Sequence, residues 1–328
     1  MITENSIKNL RLKDIIGIID FRSLIHSKPT KSMAGRPLKY QLHQLMATVF
    51  IQHKDQIPSD KELARRLKEN ESYRIFCGFA QDTPSHDTIS RFKNNIKLNE
   101  VKKIFKQLDG KLDSLGVFDN DDLSIDGTDI PSHSNPRKKT DKDAGIGHTS
   151  LDDKFFGYWA MIAVGTESEI PREIILSPGD RHQQDQALEL IPMLDDISGK
   201  EDRALIMDGI FDTKEIYSEV EWYGFKPVIK VNKRRGEYRF IWEFDDYNWR
   251  LCHEVPEKDE WLDLYSKRIS AERFNSRLKE LVEGENVRVM GLSKVFKHVL
   301  FSCITLQISA LVTGMRRMNK RKWFQSSI

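Results

Sequence analysis

The most informative segment is Tyr265-Ser-Lys-Arg268-Ile-Ser-Ala-Glu272-Arg-Phe-Asn-Ser-Arg-Leu-Lys279, in the carboxyl-terminal third of the 328-residue chain. If the stretch is one helix with 100° per residue, Tyr265, Arg268, Glu272 and Lys279 occupy a single arc of about 60°. Apolar residues form a separate stripe, as in a helix docked on a core: Leu264, Ala271, Phe274, Leu278, Leu281 and Val282. The apolar face is therefore expected to pack on the protein core. The neighbouring face presents Glu272 together with two basic side chains and the Tyr265 phenol.

The spacing of these four polar residues is rare for this composition. A helix with chance i,i+4 charge pairs is the simplest explanation. The chain has 8 Tyr, 52 basic and 50 acidic residues. At these frequencies, a Tyr followed at these spacings by a base, an acid and a base is expected about 0.03 times per chain. The stretch resembles the signature Y-x2-R-x3-E-x6-K of DDE transposases from bacterial and archaeal insertion sequences, where it surrounds the third catalytic carboxylate.

Two aspartates follow short apolar segments elsewhere in the chain. Leu123–Ile125 predicts a strand that ends at Asp126, and Arg203–Met207 predicts a buried strand that ends at Asp208. Each aspartate is followed by Gly, which leaves room for a metal ion and a phosphate. A turn-forming Asp-Gly explains either position by itself. The two strand ends together with the helix signature favour catalytic aspartates, and the rival carboxylates rank lower: Asp129, Asp180 and Asp212.

Phosphodiester hydrolysis and strand transfer, the chemistry that the resemblance implies, need an activated water or 3′-hydroxyl and a stabilised leaving 3′ oxygen. Two Mg²⁺ ions about 3.5–4 Å apart, or Mn²⁺ in their place, meet both needs through carboxylate ligands. We therefore expect Asp126, Asp208 and Glu272 to be the catalytic residues and the metal ligands.

The basic and phenolic residues of the signature are expected to contact DNA. Arg268 and Lys279 would hold phosphates, and Tyr265 would hydrogen-bond a phosphate or pack against the DNA end. A covalent role for Tyr265, as in tyrosine recombinases, is disfavoured because no cluster of Arg and His surrounds it in the sequence. The resemblance supports metal-assisted attack without a covalent protein–DNA intermediate.

Predicted elements after residue 115 define the fold class. Strands are expected at 123–125, 156–164, 171–176, 203–207 and 226–231, with helices at 185–194, 213–222, 265–279 and 299–315. The order of three strands, helix, strand, helix, strand is that of an α/β fold with a ribonuclease-H-like mixed sheet and flanking helices. The loops at the carboxyl ends of its parallel strands are where such sheets place their sites. A short β insertion is expected at about 232–260.

Residues 1–115 are predicted to form a small all-α, helix-turn-helix-like domain, and residues 116–328 the catalytic domain with the C-terminal helix. Helices are expected at 11–27, 41–53, 60–70 and 86–96, the third with a capping box and the fourth with Ser85 as its N-cap. A helical bundle with a solvated basic face explains these residues as well as a DNA binder does. Gly35-Arg-Pro37 and Pro84–Phe92 resemble the N-terminal domain of the same transposases, which favours DNA binding.

Further DNA contacts are expected from Arg91 in that domain and from Lys138 and Lys139, in a basic and mobile stretch after Asp126. The net charge is only +2, so any basic surface must be local. The cysteines Cys77, Cys252 and Cys303 are far apart and lack a CxxC pair, which disfavours a zinc site or a disulfide framework.

The amino terminus lacks the regions of a signal peptide, so a cytoplasmic, nucleoid-associated protein is expected. The uncharged run Val299–Met315 is at the lower limit of membrane-spanning length. Its interspersed Ser, Thr and Gln residues favour a buried core helix, and no membrane partner is expected.

The sequence therefore predicts a transposase that binds the terminal inverted repeats of its insertion sequence, cleaves at their ends and joins the 3′-hydroxyl to target DNA. The expected partner is double-stranded DNA, bound by a homodimer or larger assembly. Two alternatives remain: an inactive or domesticated DNA-binding protein, and a ribonuclease-H-like nuclease without strand transfer. Two departures from the family pattern, Trp159 in place of a basic residue and Gly209 directly after Asp208, would affect DNA contacts and leave the proposed ligands in place.

Overall fold

The structure is a computed structural model that describes residues 39–119, 121–138, 140–149, 153–197, 202–232, 249–281, 284 and 286–325, with side chains up to residue 313 apart from that of residue 281. Its contacts divide the chain into two compact units. The sheet unit comprises Gly116–Arg277 and Glu285–Phe296. The helical unit comprises the described residues up to Leu115, together with Leu278–Gly284 and the chain from Lys297 onward.

This division differs from the predicted domains at the C-terminal helix, which was expected with the catalytic part. The physical reason is a set of contacts from that helix within the helical unit. The Lys297 ammonium donates hydrogen bonds to the carbonyls of Lys93, Asn94 and Ile96, and Ser302 hydrogen-bonds His53. The functional assignment of the two predicted domains stays a prediction.

Between Lys39 and Leu115 the described chain is helical. The predicted N-caps form: the Ser59 hydroxyl accepts the amide of Glu62, and the Ser85 hydroxyl accepts the amide of Thr88. The Glu62 carboxylate bonds Arg65 and Arg66. The predicted helix at 11–27 lies outside the described residues. The helices are α1 (Leu42–Lys54), α2 (Asp60–Glu69), α3 (Glu71–Cys77), α4 (His86–Asn95) and α5 (Leu98–Ser114).

The sheet unit is built on a mixed sheet whose order is β2-β3-β1-β5-β6, with β4 paired to the second half of β3. The pairs β1–β3, β2–β3 and β3–β4 are antiparallel, whereas β1–β5 and β5–β6 are parallel. The fold is the predicted ribonuclease-H-like α/β fold. The strands are β1 (Leu123–Pro131), β2 (Gly145–His148), β3 (Lys154–Gly165), β4 (Pro171–Pro178), β5 (Ala204–Met207) and β6 (Lys226–Ile229).

Helices cover both faces of the sheet because the buried strands are apolar on both sides. Leu205 and Met207 of β5 belong to the large core cluster on one face, with residues of α6 (Gln183–Leu190) and α7 (Lys214–Trp222). The alternate residues Ala204 and Ile206 pack on the other face against Trp261 of α8 (Lys258–Ser266). The remaining helices are α9 (Ile269–Leu281) and α10 (Leu292–Gln325).

One strand prediction was wrong in extent, and one strand was missed. β1 does not end before Asp126 but continues to Pro131, because β3 pairs with it along its whole length. β2 was not predicted, since Gly145 and Gly147 give it no β-branched run. A Cβ on Gly147 would lie 2.8 Å from the carbonyl oxygen of Gly179, so close backbone packing explains the glycine there. The predicted insertion at 232–260 lies largely outside the described residues, which resume with a short 3₁₀ turn at Trp249–Cys252.

The periodicity of Tyr265–Lys279 predicted one helix, but the structure has two. α8 ends at Ser266 and α9 begins at Ile269. The amides of Arg268 and Ala271 bond carbonyls three residues earlier, those of Tyr265 and Arg268. A turn with such bonds advances about 120° per residue, so a wheel at 100° misplaces Tyr265 relative to Glu272.

The uncharged segment near the carboxyl end forms part of α10, and the predicted core helix is confirmed. Leu292–Thr313 is long and apolar enough to cross a membrane, but 94% of its most apolar window is buried inside the protein. Residues Val299, Cys303 and Ile308 have an exposure of 0%. The basic tail that follows is helical to Gln325, and its side chains lie outside the described part.

Candidate active site

Asp126 lies on β1, and Asp208 directly follows β5, the adjacent parallel strand. The register pairs Ser124 of β1 with Ile206 of β5, and each aspartate stands two residues further along its strand direction. Neighbouring strands are about 4.8 Å apart, so the two carboxylates occur at the same level, where the parallel pairing ends. The carboxylate of Asp208 also accepts the amide of Gly209 at 2.7 Å, which caps a short 3₁₀ turn, Gly209–Phe211.

The pKa of Asp126 responds to the charges of the other two predicted carboxylates, Asp208 and Glu272. Burial is the main cause that raises the pKa of Asp126 to about 6. The negative charges of Asp208 and Glu272 raise it further, while Arg268 and the amide of Gly127 oppose the shift. Asp126, Asp208, Glu272 and Arg268 are therefore close enough for their charges to interact.

Arg268 is the cation among these acids. Burial disfavours its charge, but the interactions with Tyr265, Asp208, Glu272 and Asp126 outweigh burial and raise the pKa of Arg268. Its guanidinium forms an ion pair with Glu272, one turn along the chain. The Glu272 side chain is 52% exposed, so the pair is open to solvent and easily exchanged.

Asn275 is a site residue that the sequence interpretation missed. Its side-chain amide donates a hydrogen bond to Asp126 Oδ2 at 3.0 Å. Asn275 follows Glu272 by three residues on α9, so both side chains lie on neighbouring parts of the helix surface. The sequence did contain one indication of this role: on the predicted helical wheel, Asn275 is only about 20° from Arg268 and therefore on the same face.

Among the described residues, no group of three or more His, Cys, Asp or Glu side chains is placed to bind a metal ion jointly. The donor chemistry nevertheless fits a divalent cation. Asp126 and Asp208 offer hard carboxylate oxygens, and the raised pKa of Asp126 reflects a buried negative group among like charges. Glu272 is turned to Arg268, and its exposure allows a change of rotamer. These three carboxylates are the residues that would hold the ion.

The rival ligand Asp212 is already engaged. Its two carboxylate oxygens bond the Arg250 guanidinium, at 2.6 Å from Nε to Oδ1 and 2.5 Å from Nη2 to Oδ2. It also accepts the amide of Asn232 at 2.9 Å, and its side chain is only 2% exposed. Asp212 therefore holds the chain beyond β6 to the loop that follows β5. Asp180 is exposed in the loop after β4.

Comparison with known protein families identifies the family of the chain. A model described as "Transposase DDE domain" matches residues 118–308, more than half of the chain. The chain belongs to the DDE transposase family. A second model, "Transposase domain (DUF772)", matches residues 2–95. A comparison with curated proteins gave no match.

Membership in the transposase family indicates a nucleic-acid-processing enzyme that binds DNA, and the family generally uses divalent metal ions. Transposases are generally soluble cytoplasmic proteins, and the burial of the apolar helix is consistent with this.

The other predicted DNA contacts lie in several parts of the transposase. The Tyr265 ring stacks on Trp261, with ring centroids 4.8 Å apart and planes 5° apart. Lys279 lies on α9, half-buried, and Arg91 is exposed on α4. Lys138 is exposed in the loop after β1, and Lys139 lies outside the described residues.

The loop after β1 was expected to be mobile, but hydrogen bonds hold it. Asp141, 2% exposed, accepts the hydroxyls of Ser132 and Tyr158, both at 2.8 Å, and the amide of Gly291 at 3.1 Å. Tyr158 precedes the unusual Trp159, which is buried with its ring edge against Phe155. Lys138 is thus presented by a loop whose base is fixed to β3.

Proposed function

We propose that this transposase binds the terminal inverted repeats of its insertion sequence, hydrolyses the phosphodiester at the element ends and joins the resulting 3′-hydroxyl to target DNA. The observation that carries the proposal is the register of β1 and β5, which puts Asp126 and Asp208 at one level beside the helix that bears Glu272. The substrate would be double-stranded DNA, held by a homodimer or larger assembly, in the cytoplasm at the nucleoid.

The proposed metal ligands are Asp126, Asp208 and Glu272. Two Mg²⁺ ions, or Mn²⁺ in their place, would supply Lewis-acid activation of the attacking oxygen and neutralise charge at the leaving 3′ oxygen. Asn275 holds one oxygen of Asp126 through its amide N–H, which fixes the orientation of that carboxylate. The ion pair between Arg268 and Glu272 must open for the carboxylate to act as a ligand, and this frees the guanidinium for a DNA phosphate.

The remaining basic residues would hold the DNA backbone. Lys279 follows on the signature helix, and Lys138 and Lys139 belong to the loop after β1. Arg91, exposed on α4, would contribute to end recognition by the helical unit. Phosphate contacts of this kind position a duplex without reading its sequence. Tyr265 is stacked on Trp261, so its hydroxyl rather than its ring face would be offered to the DNA end.

The test incubates the full chain with Mg²⁺ and a labelled duplex that carries the end of its own element, then separates cut and joined products. Asp208→Ala should abolish both products and leave duplex binding largely unchanged, because it removes a metal ligand and no DNA contact. The matched control is Asp202→Ala, which removes an 88%-exposed aspartate just before β5. Normal cleavage by Asp208→Ala would refute the ligand assignment.

Two observations favour a second function, that of a DNA-binding protein without catalysis. Glu272 is paired with Arg268, and no group of three possible metal ligands is preformed among the described residues. Binding of the duplex by wild-type protein without either product would support this alternative. Cleavage without joining would support a nuclease instead.

A further inference from the structure

The signature helix α9 is held on two opposite flanks. Its docked centre includes Ala271 and Phe274, with exposures of 1% and 0%. On one flank Asn275 contacts Asp126, and on the other Arg273 and Arg277 contact a single carboxylate. At 100° per residue, Asn275 is about 160° from each of these arginines. Contacts so far apart around the axis fix the rotation of the helix.

The carboxylate shared by the two arginines is Glu169. Arg273 Nη1 lies 3.1 Å from Glu169 Oε1, and Arg277 forms an ion pair with Oε2. The Glu169 side chain is 4% exposed and that of Arg277 is 12% exposed. Burial lowers the pKa of Arg277, the charge of Glu169 opposes this, and the neighbouring Arg273 adds to the lowering. Within the described part of the sheet unit, the Glu169 carboxylate bonds the guanidinium groups of both Arg273 and Arg277.

The loop that carries Glu169 is itself anchored. It joins β3 to β4, and Asp121 accepts the amides of Glu167 and Ser168 at 2.6 Å and 3.0 Å. The next residue, Asp122, accepts the ammonium of Lys267 at 2.9 Å and the amide of Ala204 at 3.0 Å. The start of the sheet therefore holds both the loop and the turn that leads into α9.

The backbone at Glu169 is unusual for its residue type. Its φ is +54°, in the left-handed region that Gly and Asn adopt more readily. This backbone conformation disfavours a glutamate, so the ion pairs with the two arginines explain why a glutamate occupies the position.

We propose that Glu169 is a positioning residue that fixes the rotation of α9 and thereby sets where Glu272 and Asn275 stand relative to Asp126. The proposal rests on the proposed function, since it assigns Glu169 to the same site. Glu169 does not touch substrate or metal; it acts through Arg273 and Arg277.

Two substitutions separate the carboxylate from the backbone conformation. Glu169→Gln removes the charge and keeps the shape, while Glu169→Gly removes the carboxylate and relieves the left-handed backbone. The matched control is Glu167→Gln in the same loop, where the side chain is 64% exposed and lies 3.8 Å from Lys267. Arg273→Gln, at a 51%-exposed partner, tests the same contact if the variants at 169 do not fold.

The first measurement needs neither DNA nor metal. Spin labels at Ser276→Cys on α9 and Lys154→Cys at the start of β3, both exposed positions, report their separation by pulsed electron paramagnetic resonance. The exposed Cys252 is replaced by Ser, and the buried Cys77 and Cys303 are retained. We expect one narrow distance in the parent and in Glu167→Gln, and a shifted or broadened distance in both variants at 169.

The second measurement is single-turnover cleavage of the element-end duplex below the melting temperature. The rate constant should fall by roughly 100-fold in both variants at 169, the size expected for misplaced catalytic groups. Duplex affinity should stay within about twofold. A role confined to folding would lower the melting temperature and leave the rate constant unchanged.

Three results would overturn the proposal: wild-type cleavage by Glu169→Gly, an unchanged label distance in both variants, or a changed distance with normal cleavage. If the wild-type protein binds but does not cut, the proposed function fails. The label distances then still decide whether Glu169 sets the rotation of α9.

Discussion

At the scale of single residues, the ionisation of Asp126 links the stability of the fold to the site. The folded protein holds the proton of this carboxyl with a pKa of about 6, mainly because of burial, whereas an exposed aspartate has a pKa of about 3.9. The folded state therefore binds the proton more tightly than the unfolded state. Stability from this group is fully present below about pH 4 and is lost as the pH rises through about 6.

Asp126→Asn should consequently stabilise the metal-free protein at neutral pH. With a chelator present, we expect the free energy of unfolding at pH 7.5 to exceed that of wild type by on the order of 2 kcal/mol. The difference should vanish near pH 4, where the wild-type carboxyl is protonated in the folded state. Urea unfolding across this pH range measures it, with Asp129→Asn on the same strand as the control for loss of one negative charge. An Asp126→Asn protein that is less stable than wild type at pH 7.5 would contradict the raised pKa of Asp126.

At the scale of elements, the loop after β5 separates a proposed catalytic aspartate from a structural one. Asp208 begins the loop, and among the described residues its carboxylate accepts the adjacent amide of Gly209 through Oδ1, which leaves Oδ2 for a ligand. Asp212 ends the loop, where Arg250 and the amide of Asn232 occupy both of its oxygens. The two residues are four positions apart and have opposite environments.

Substitution of Asp212 should therefore affect stability rather than chemistry. Asp212→Asn removes the negative charge that the Arg250 guanidinium, with a side chain only 13% exposed, bonds through two oxygens. Loss of one member of a buried pair costs about 3–5 kcal/mol. We expect a melting temperature several degrees lower by calorimetry, and cleavage near the wild-type rate below that temperature. Loss of cleavage in a stable Asp212→Asn protein would return Asp212 to the candidate ligands.

Elements with local signals were predictable from the sequence. Apolar runs predicted β3 to β6, and the hydroxyls of Ser59 and Ser85 predicted the starts of α2 and α4. The extent of β1 was not predictable, because it depends on pairing with β3, a partner distant in the chain. The break between α8 and α9 was not predicted, because a helical wheel assumes the same rotation at every residue.

The site was predictable to the extent that it rests on local sequence. Asp126 and Asp208 were proposed because each follows an apolar run, and Glu272 because of its signature; their roles stay predictions. Asn275 and Glu169 were missed because their roles depend on partners 149 and 104 or more positions away. The wheel angle of Asn275 indicated which helix surface it occupies, but no periodicity within one segment reports a partner so distant in the chain.

At the scale of the whole molecule, α10 joins segments that are far apart in sequence. Its apolar surface needs burial all round, yet it carries Lys297, which is 5% exposed. The ammonium group donates hydrogen bonds to the carbonyls of Lys93 at 2.8 Å and of Asn94 and Ile96 at 2.9 Å. These are carbonyls at the end of α4, where a helix lacks intrahelical donors and favours a positive charge.

Lys297→Met should destabilise the helical unit, because Met fills the apolar part of the side-chain volume but leaves three carbonyls without this donor. Unsatisfied buried groups cost about 1–3 kcal/mol each, less any bonds that water restores. We expect a melting temperature lower by several degrees in calorimetry. Lys294→Met, at an exposed position of the same helix, is the matched control and should melt like wild type. If Lys297→Met melts at or above the wild-type temperature, the cost of burying the ammonium equals or exceeds the gain from its hydrogen bonds, and Lys297 does not stabilise the helical unit.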